Sequence, residues 1–261
     1  TGVSISRVSG ENAGMYTVTP SGAADANYSI SFVTTTFSIT KAPLLVTADS
    51  GISKVYGAAD PDLTYTITGY VNGNTEGDLD TGVSISRVSG ENAGMYTVTP
   101  SGAADSNYTV SFVTADFSIT AKELTITGLT GDNKVYDGTT DATASGTPVL
   151  SGVVSGDDVI LGGTPVFTFA SANVGTGITI NTTGLTISGT DIGNYTLTQP
   201  TLSGDITAKE LTITGITGSD KVYDDTTAAT ATGTFTLNGV ESGDDVILGG
   251  TPVFTFASAN V

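Results

Sequence analysis

One loop of the sequence carries a run of oxygen side chains that could bind a cation. They stand at alternate positions before a glycine, as at the start of a calcium loop. The positions are Asn72, Asn74, Glu76, Asp78 and Asp80. A calcium loop ends on a bidentate glutamate at its twelfth position, where this sequence has Val83. Calcium binding is therefore one hypothesis, and a polar β-turn loop is the other. We expect no other metal and no cofactor.

Paired aspartates in two further loops could act as an acid and a base. These are Asp157-Asp158 and their copy, Asp244-Asp245. They could also bind a cation weakly, and ordinary turn chemistry accounts for them as well. The sequence has no histidine and no cysteine, so the commonest general base and a thiol nucleophile are both missing. We predict that the chain is not an enzyme and has no catalytic residue.

The charge balance excludes other classes of function. Lysine and arginine total 8 against 26 aspartates and glutamates, and the net charge is −18. With so few basic residues, we expect no nucleic-acid interface. Because no run of 18 apolar residues occurs, we expect no membrane insertion in this segment. The absence of cysteine excludes a disulfide scaffold.

Two short motifs recur along the chain. A Lys-Val-Tyr motif contains Lys54 and Tyr56, Lys134 and Tyr136, and Lys221 and Tyr223. An Asn-Tyr pair occurs as Asn107-Tyr108 and Asn194-Tyr195, and also as Asn27-Tyr28. We interpret both motifs as structural, with the lysine stem and tyrosine ring covering the edge of a module and the hydroxyl finding a partner.

The same motifs allow two covalent interpretations. A lysine beside an asparagine can form an isopeptide crosslink, and the repeats suggest Lys134 with Asn194. The acceptor pattern for glycosylation occurs at Asn181 and at the asparagine of each Asn-Tyr pair. Such short patterns arise easily in a threonine-rich chain.

Internal repeats set the organisation of the chain. Residues 1–25 recur unchanged as 81–105, and residues 121–174 recur as 208–261 with ten differences. A recurring junction then divides the chain as follows: 1–41, the C-terminal half of a first-type module; 42–121, a complete first-type module; 122–208, a complete second-type module; 209–261, the N-terminal part of another. We expect this to be an interior window of a longer array.

The local pattern is β throughout. Apolar and polar residues alternate in segments rich in Thr, Val, Ile, Tyr and Phe, and glycine, asparagine and proline separate these segments. Alternation predicts that Phe117 and Ile119 are buried, and Leu124 and Ile126 after them. We read Gly162-Gly163 as a hairpin turn. The predicted fold is all-β: a tandem array of small β-sandwich or β-grasp-like modules. Since no Gly/Ser-rich linker separates them, the array forms an elongated rod.

The motifs resemble two known repeat families. Lys-Val-Tyr-Gly, then Gly-Glu-Asn-Ala-Gly-Met-Tyr and Asn-Tyr, is similar to the MBG repeat of the YGX type. Lys-Val-Tyr-Asp-Gly-Thr-Thr, then Ser-Gly-Asp-Asp-Val and Phe-Ala-Ser-Ala-Asn-Val-Gly, is similar to the YDG repeat. The chain departs from the latter at Asp225, where the pattern has glycine. The resemblance covers nearly the whole chain. It implies large secreted bacterial surface proteins, including adhesins and filamentous-haemagglutinin-like exoproteins, and it assigns no catalytic residue.

The sequence therefore predicts an extracellular, cell-surface structural repeat region: a stalk, fibre or filament shaft. Its partners are the neighbouring modules of the same chain. One alternative is an adhesive module for a glycan, mucin or matrix protein, with Tyr65, Tyr70 and Tyr96 as candidate contacts. Another is a self-assembling filament subunit, in which other copies of the chain add at exposed sheet edges.

Overall fold

A computed structural model describes residues 2–259 of the chain. Strands alternate with turns along its whole length, and the helical residues within this range form only two short 3₁₀ turns. The chain divides into two compact units. The first takes in the residues up to Lys122 together with Gly193–Thr196, and the second takes in Glu123–Ile192 and the residues from Leu197 on. The prediction of small all-β modules is confirmed.

Residues 2–41 form one three-stranded antiparallel sheet. Its strands are β1 (Ser4–Arg7), β2 (Gly14–Ser21) and β3 (Thr35–Ile39). Strand β2 lies in the middle and pairs with both others. Most of the side chains of this sheet are exposed.

Residues 42–121 form two sheets. The strands are β4 (Ala42–Ala48), β5 (Ser53–Val55), β6 (Tyr65–Thr68), β7 (Ser84–Arg87), β8 (Gly94–Ser101), β9 (Tyr108–Val113) and β10 (Ala115–Thr120). One sheet has the order β6-β4-β9 and the other the order β5-β10-β8-β7. The β4–β9 and β5–β10 pairs are parallel, and the other pairs are antiparallel. A 3₁₀ turn, Glu76–Asp78, lies in the loop before β7.

The core of this module draws side chains from both sheets. Ala48 on β4 packs with Val98 on β8 and with Phe117 and Ile119 on β10, and all four are buried. Alternation along β10 therefore identified its inward face correctly. Burying these apolar side chains between two sheets supplies the main driving force for folding this module.

Residues 122–208 also form two sheets. The strands are β11 (Lys122–Gly131), β12 (Lys134–Val135), β13 (Asp141–Ala142), β14 (Ala144–Ser151), β15 (Ile160–Phe169), β16 (Gly175–Ser188), β17 (Tyr195–Leu197) and β18 (Thr201–Thr207). The sheet orders are β14-β11-β17 and β12-β18-β16-β15-β13. The second 3₁₀ turn, Ile192–Asn194, precedes β17. The core cluster is Phe169, Ile180 and Ile206, and Leu124 and Ile126 are buried as predicted.

The hairpin turn predicted at Gly162-Gly163 is wrong. Both glycines lie inside β15, where the register with β16 shifts between Gly163 and Val166. Gly163 has a φ of 87° and faces Gly184, whose φ is 85°. A Cβ on Gly163 would lie 2.1 Å from the Gly184 carbonyl oxygen. Facing glycines of this kind mark a bulge in which two backbones approach closely.

The last described residues form the antiparallel pair β19 (Thr212–Ser219) and β20 (Thr230–Asn238). Between successive modules the strands follow closely: one residue separates β10 from β11, and four separate β18 from β19. Within residues 2–259, no helix has the length and apolar character needed to cross a membrane.

Candidate functional site: the contacts between modules

The asparagine of the Asn-Tyr motif reaches the preceding module. The side-chain oxygen Oδ1 of Asn107 accepts a hydrogen bond of 2.8 Å from the backbone N–H of Ala13. Asn194 Oδ1 accepts a bond of the same length from the N–H of Ala93. Ala13 and Ala93 occupy the same place in the repeated segment Glu-Asn-Ala-Gly. One contact therefore recurs at two successive junctions, and the second lies within the first compact unit.

Local structure places both partners of this contact at strand ends. Ala93 immediately precedes β8, and Asn194 closes a 3₁₀ turn immediately before β17. Asn107 immediately precedes β9, and its own N–H donates to Asp105 Oδ1 at 2.6 Å, which fixes the turn. A strand end leaves backbone groups outside the sheet ladder, so a side-chain amide can pair with them.

The Asn194 contact is buried. Asn194 and Tyr195 are each almost fully covered, and Asn194 Nδ2 donates to Asn92 Oδ1 at 3.4 Å. By contrast, Tyr28 in the corresponding pair of residues 2–41 is exposed. A buried N–H that keeps an acceptor avoids the cost of an unpaired donor. Buried and bonded in this way, Asn194 is not available as a glycosylation acceptor in the folded chain.

The tyrosine of the Lys-Val-Tyr motif makes the second contact between modules. The ring of Tyr56 packs edge-on against Tyr195, with 5.3 Å between ring centroids and 77° between planes. The Tyr136 hydroxyl donates to both carboxylate oxygens of Asp244, at 3.1 and 2.9 Å. That hydrogen bond to a carboxylate raises the pKa of Tyr136. In residues 209–259, Tyr223 is exposed and its hydroxyl donates to Asp225 nearby.

The lysine of the second-type motif stays within its own module. Lys134 Nζ donates to Asp137 at 2.7 Å, to Thr139 and to the Asp141 carbonyl. Asp137 also accepts from the N–H of Thr139, and these partners lower the pKa of Asp137 to about 2. Lys221 repeats the arrangement in the next copy. The motif is a turn that the lysine closes.

The isopeptide pairing of Lys134 with Asn194 stays a prediction. Each group has other partners: the amine bonds to its own turn, and the Asn194 amide bonds to Ala93 and Asn92.

Lys54 belongs to a cluster of four charged side chains that was not predicted from the sequence. Its Nζ lies 2.7 Å from Asp60 and also bonds to Glu91. Arg87 bonds to the same two carboxylates at 2.6 Å each, and its guanidinium lies over the Phe117 ring, 5.0 Å from the centroid. The sequence does contain a signal for this cluster. The two arginines of the chain, Arg7 and Arg87, occupy the same position in the repeat.

The cluster shifts the pKa of its members in the expected directions. Hydrogen bonds from Arg87 and then Lys54 lower the pKa of Asp60 to about 2. Lys54 and Arg87 also lower the pKa of Glu91. In turn the pKa of Lys54 is raised, chiefly by Asp60. All four groups are therefore charged at neutral pH, and they tie the loop at Asp60 to strand β7.

The carboxylates of the candidate calcium loop each serve a separate hydrogen bond. Asp78 Oδ2 accepts from the N–H of Thr75 at 2.8 Å and caps the 3₁₀ turn. Glu76 accepts from the Tyr65 hydroxyl, and Asp80 accepts from the N–H of Ser106 at 2.8 Å. Among residues 2–259, no three acidic side chains converge in a way that could hold a metal ion. This arrangement fits the polar-turn interpretation, and calcium binding stays a prediction.

The tyrosines considered for adhesion are held within their own module. Tyr65 bonds to Glu76, and the Tyr96 hydroxyl donates to the Asn92 carbonyl at 2.8 Å. Tyr70 packs edge-on against Tyr108, with 6.1 Å between centroids. These contacts support the folding of the module, and a role of the three rings in adhesion stays a prediction.

Taken together, repeated all-β modules with one contact set at successive junctions define a tandem repeat protein. Comparison with known families identifies the two kinds of module. The model of the YDG domain matches residues 120–202 and 207–261. The model of the MBG domain of the YGX type matches residues 1–38 and 44–118. The chain belongs to the YDG family, and its YDG domains follow MBG domains in tandem. No curated protein matches it.

Proposed function

We propose that the chain is a structural repeat region, a stalk or shaft, of a large secreted bacterial cell-surface protein. The families matched are consistent with an extracellular repeat region. They are not known as enzymatic families, in keeping with a chain that lacks histidine and cysteine.

The observation that carries the proposal is the recurring bond from an asparagine to the backbone of the preceding module. Asn107 lies in an MBG domain and Asn194 in a YDG domain, yet both bond to the same alanine position. A contact that recurs at two successive junctions, of two residues and one residue, restricts bending at both. A shaft that carries load needs restricted bending between its modules. A string of independent binding domains does not need it.

Small-angle X-ray scattering with sedimentation analysis tests this function. A compact globule of 261 residues has a radius of gyration of about 18 Å. We expect a monomer with a clearly larger value and a rod-like scattering profile. The double variant N107A/N194A should bend more, and N27A, at an exposed asparagine, should scatter like the wild type. A compact monomer contradicts the proposal, and multichain fibres that persist on dilution indicate the filament alternative.

A further inference from the structure

A pocket in the second compact unit lies where the next contact of this kind would form. Its volume is about 330 Å³. Tyr136, Asn173, Val174, Lys209 and Glu241 are among the residues that line it. The salt bridge between Lys209 and Glu241 lies at this pocket. The Tyr136 hydroxyl is held by Asp244, so the orientation of its ring is already set.

The backbone shows that this pocket is equivalent to the site that holds Asn194 and Tyr195. Gly175 pairs with Ile206 as Gly94 pairs with Ile119. Asn173-Val174-Gly175 therefore corresponds to Asn92-Ala93-Gly94. Tyr136 and Tyr56 correspond in the same way: the N–H of each donates at 2.9 Å to the threonine at the end of the neighbouring strand, Thr207 or Thr120.

The two sites differ in whether one backbone N–H has a hydrogen-bond acceptor. The N–H of Ala93 bonds to Asn194. The N–H of Val174 donates to no acceptor among residues 2–259, and Val174 is 53% exposed. The contact at Ala93 is made with the backbone, so exchanging alanine for valine leaves the donor in place.

We propose that the pocket beside Tyr136 is a docking site for an Asn-Tyr segment of a YDG domain, with the sequence Gly-Asn-Tyr-Thr found at residues 193–196. The asparagine Oδ1 accepts from the N–H of Val174, and the tyrosine ring packs edge-on against Tyr136. This inference rests on the proposed stalk function and names the chemistry of its joint. The occupant is identified by the equivalence of this pocket with the site at Ala93 and Tyr56, which holds Asn194 and Tyr195.

A tethered segment provides the test. Residues 175–208 are repeated after Val261, which completes the module that begins at residue 209. The appended copies of Asn194 and Tyr195 then lie in a module that follows 122–208, as 122–208 follows 42–121. Hydrogen exchange at the Val174 amide is measured by NMR. We expect exchange to slow by about tenfold relative to the 261-residue chain. The matched control carries Asn194→Ala in the appended copy only and should exchange like the unextended chain.

Ala93 serves as an internal reference in the same samples, because its N–H is already bonded. Its exchange should be equal in all forms, which shows that the fold is kept. Equal Val174 exchange in the extended chain and its Asn194→Ala control overturns the proposal. A synthetic peptide of residues 191–198 gives an independent arm: a saturable shift at Val174 and none at Ala93 supports docking, whereas equal shifts with an Asn194→Ala peptide contradict it. Small-angle scattering tests the stalk function separately. A compact overall shape would contradict the stalk but would not change the exchange rate of the Val174 amide.

Discussion

Residues 1–25 and 81–105 have the same sequence but differ in which side chains are buried. On the outer face the copies agree: Val8 and Val88 are both 56% exposed. On the inner face the two copies differ in side-chain burial. The same difference is found in the strand that follows each copy. Phe37 is 47% exposed, whereas its counterpart Phe117 is fully buried. Each stretch forms two strands, and these pair in the same register with each other and with the strand at 35–39 or 115–120.

The difference shows that strand formation and core formation have separate origins in this protein. The repeated residues suffice for the sheet of β1, β2 and β3. Covering the inner face of β10 requires residues 42–80, which supply Ala48, Ile52 and Leu63 to the core and Asp60 to the charged cluster. Within residues 1–261, the segment 42–80 occurs once and packs against the second copy.

The largest expected effect is on the buried ring. Phe117→Ala should lower the free energy of unfolding of its module by about 3–5 kcal/mol, because it leaves a cavity between two sheets. Phe37→Ala, at the same repeat position, should cost about 1 kcal/mol or less, since the ring is half exposed. Chemical denaturation with amide exchange as a local probe measures both. Similar losses in the two variants would mean that the comparison is mistaken.

Removing the Asn194 contact should have the next largest effect. Asn194→Ala leaves the Ala93 N–H without its acceptor and should cost about 1–3 kcal/mol locally. Amide exchange at Ala93 should accelerate while exchange in β16 stays unchanged. Asn27→Ala, in the exposed pair, should alter neither stability nor exchange measurably, and a comparable effect there would contradict the assignment.

The charged cluster should give a smaller difference. Arg87→Met removes bonds to Asp60 and Glu91 and the contact with Phe117, and should cost about 1–2 kcal/mol, since both carboxylates are partly screened by solvent. Arg7→Met removes one pair with the exposed Glu11 and a contact with the half-exposed Phe37, and should cost about 0.5 kcal/mol or less. Thermal unfolding of the two variants in low salt, repeated in high salt, checks this order.

The pH dependence should be the smallest effect. The pKa of Asp60 is about 2 in the folded chain, below its ordinary value of 3.8. Its contribution to stability is therefore fully present above about pH 4 and is lost as the pH falls towards 2. Asp137 and Asp224 add losses in the same range. The melting temperature of Asp60→Asn should fall less steeply from pH 4 to 2 than that of the wild type; parallel curves would exclude the role given to Asp60.

Local pattern predicted much of the fold and little of the site. Alternation identified Phe117, Ile119, Leu124 and Ile126 as buried, because a strand presents every second side chain to one face. It could not show that Gly163 lies in a bulge, since a glycine with positive φ serves a turn and a bulge equally well.

The Asn-Tyr and Lys-Val-Tyr motifs were correctly selected as recurring, but their partners were not predictable. Asn194 bonds to a residue 101 positions earlier, and no local periodicity reports such a distance. The sequence instead suggested Lys134 for Asn194, because both recur in each module. Recurrence shows that a residue has a repeated environment and does not show which neighbour supplies it.

The bond from Asn194 to Ala93 has a consequence for how such a gene can change. Every amino acid except proline carries a backbone N–H, so a side chain that fits the half-buried position 93 can replace alanine and keep the donor. The asparagines of an MBG and a YDG domain make it at the same length. We therefore expect in-frame recombination that places an MBG or a YDG domain after an MBG domain to preserve this bond.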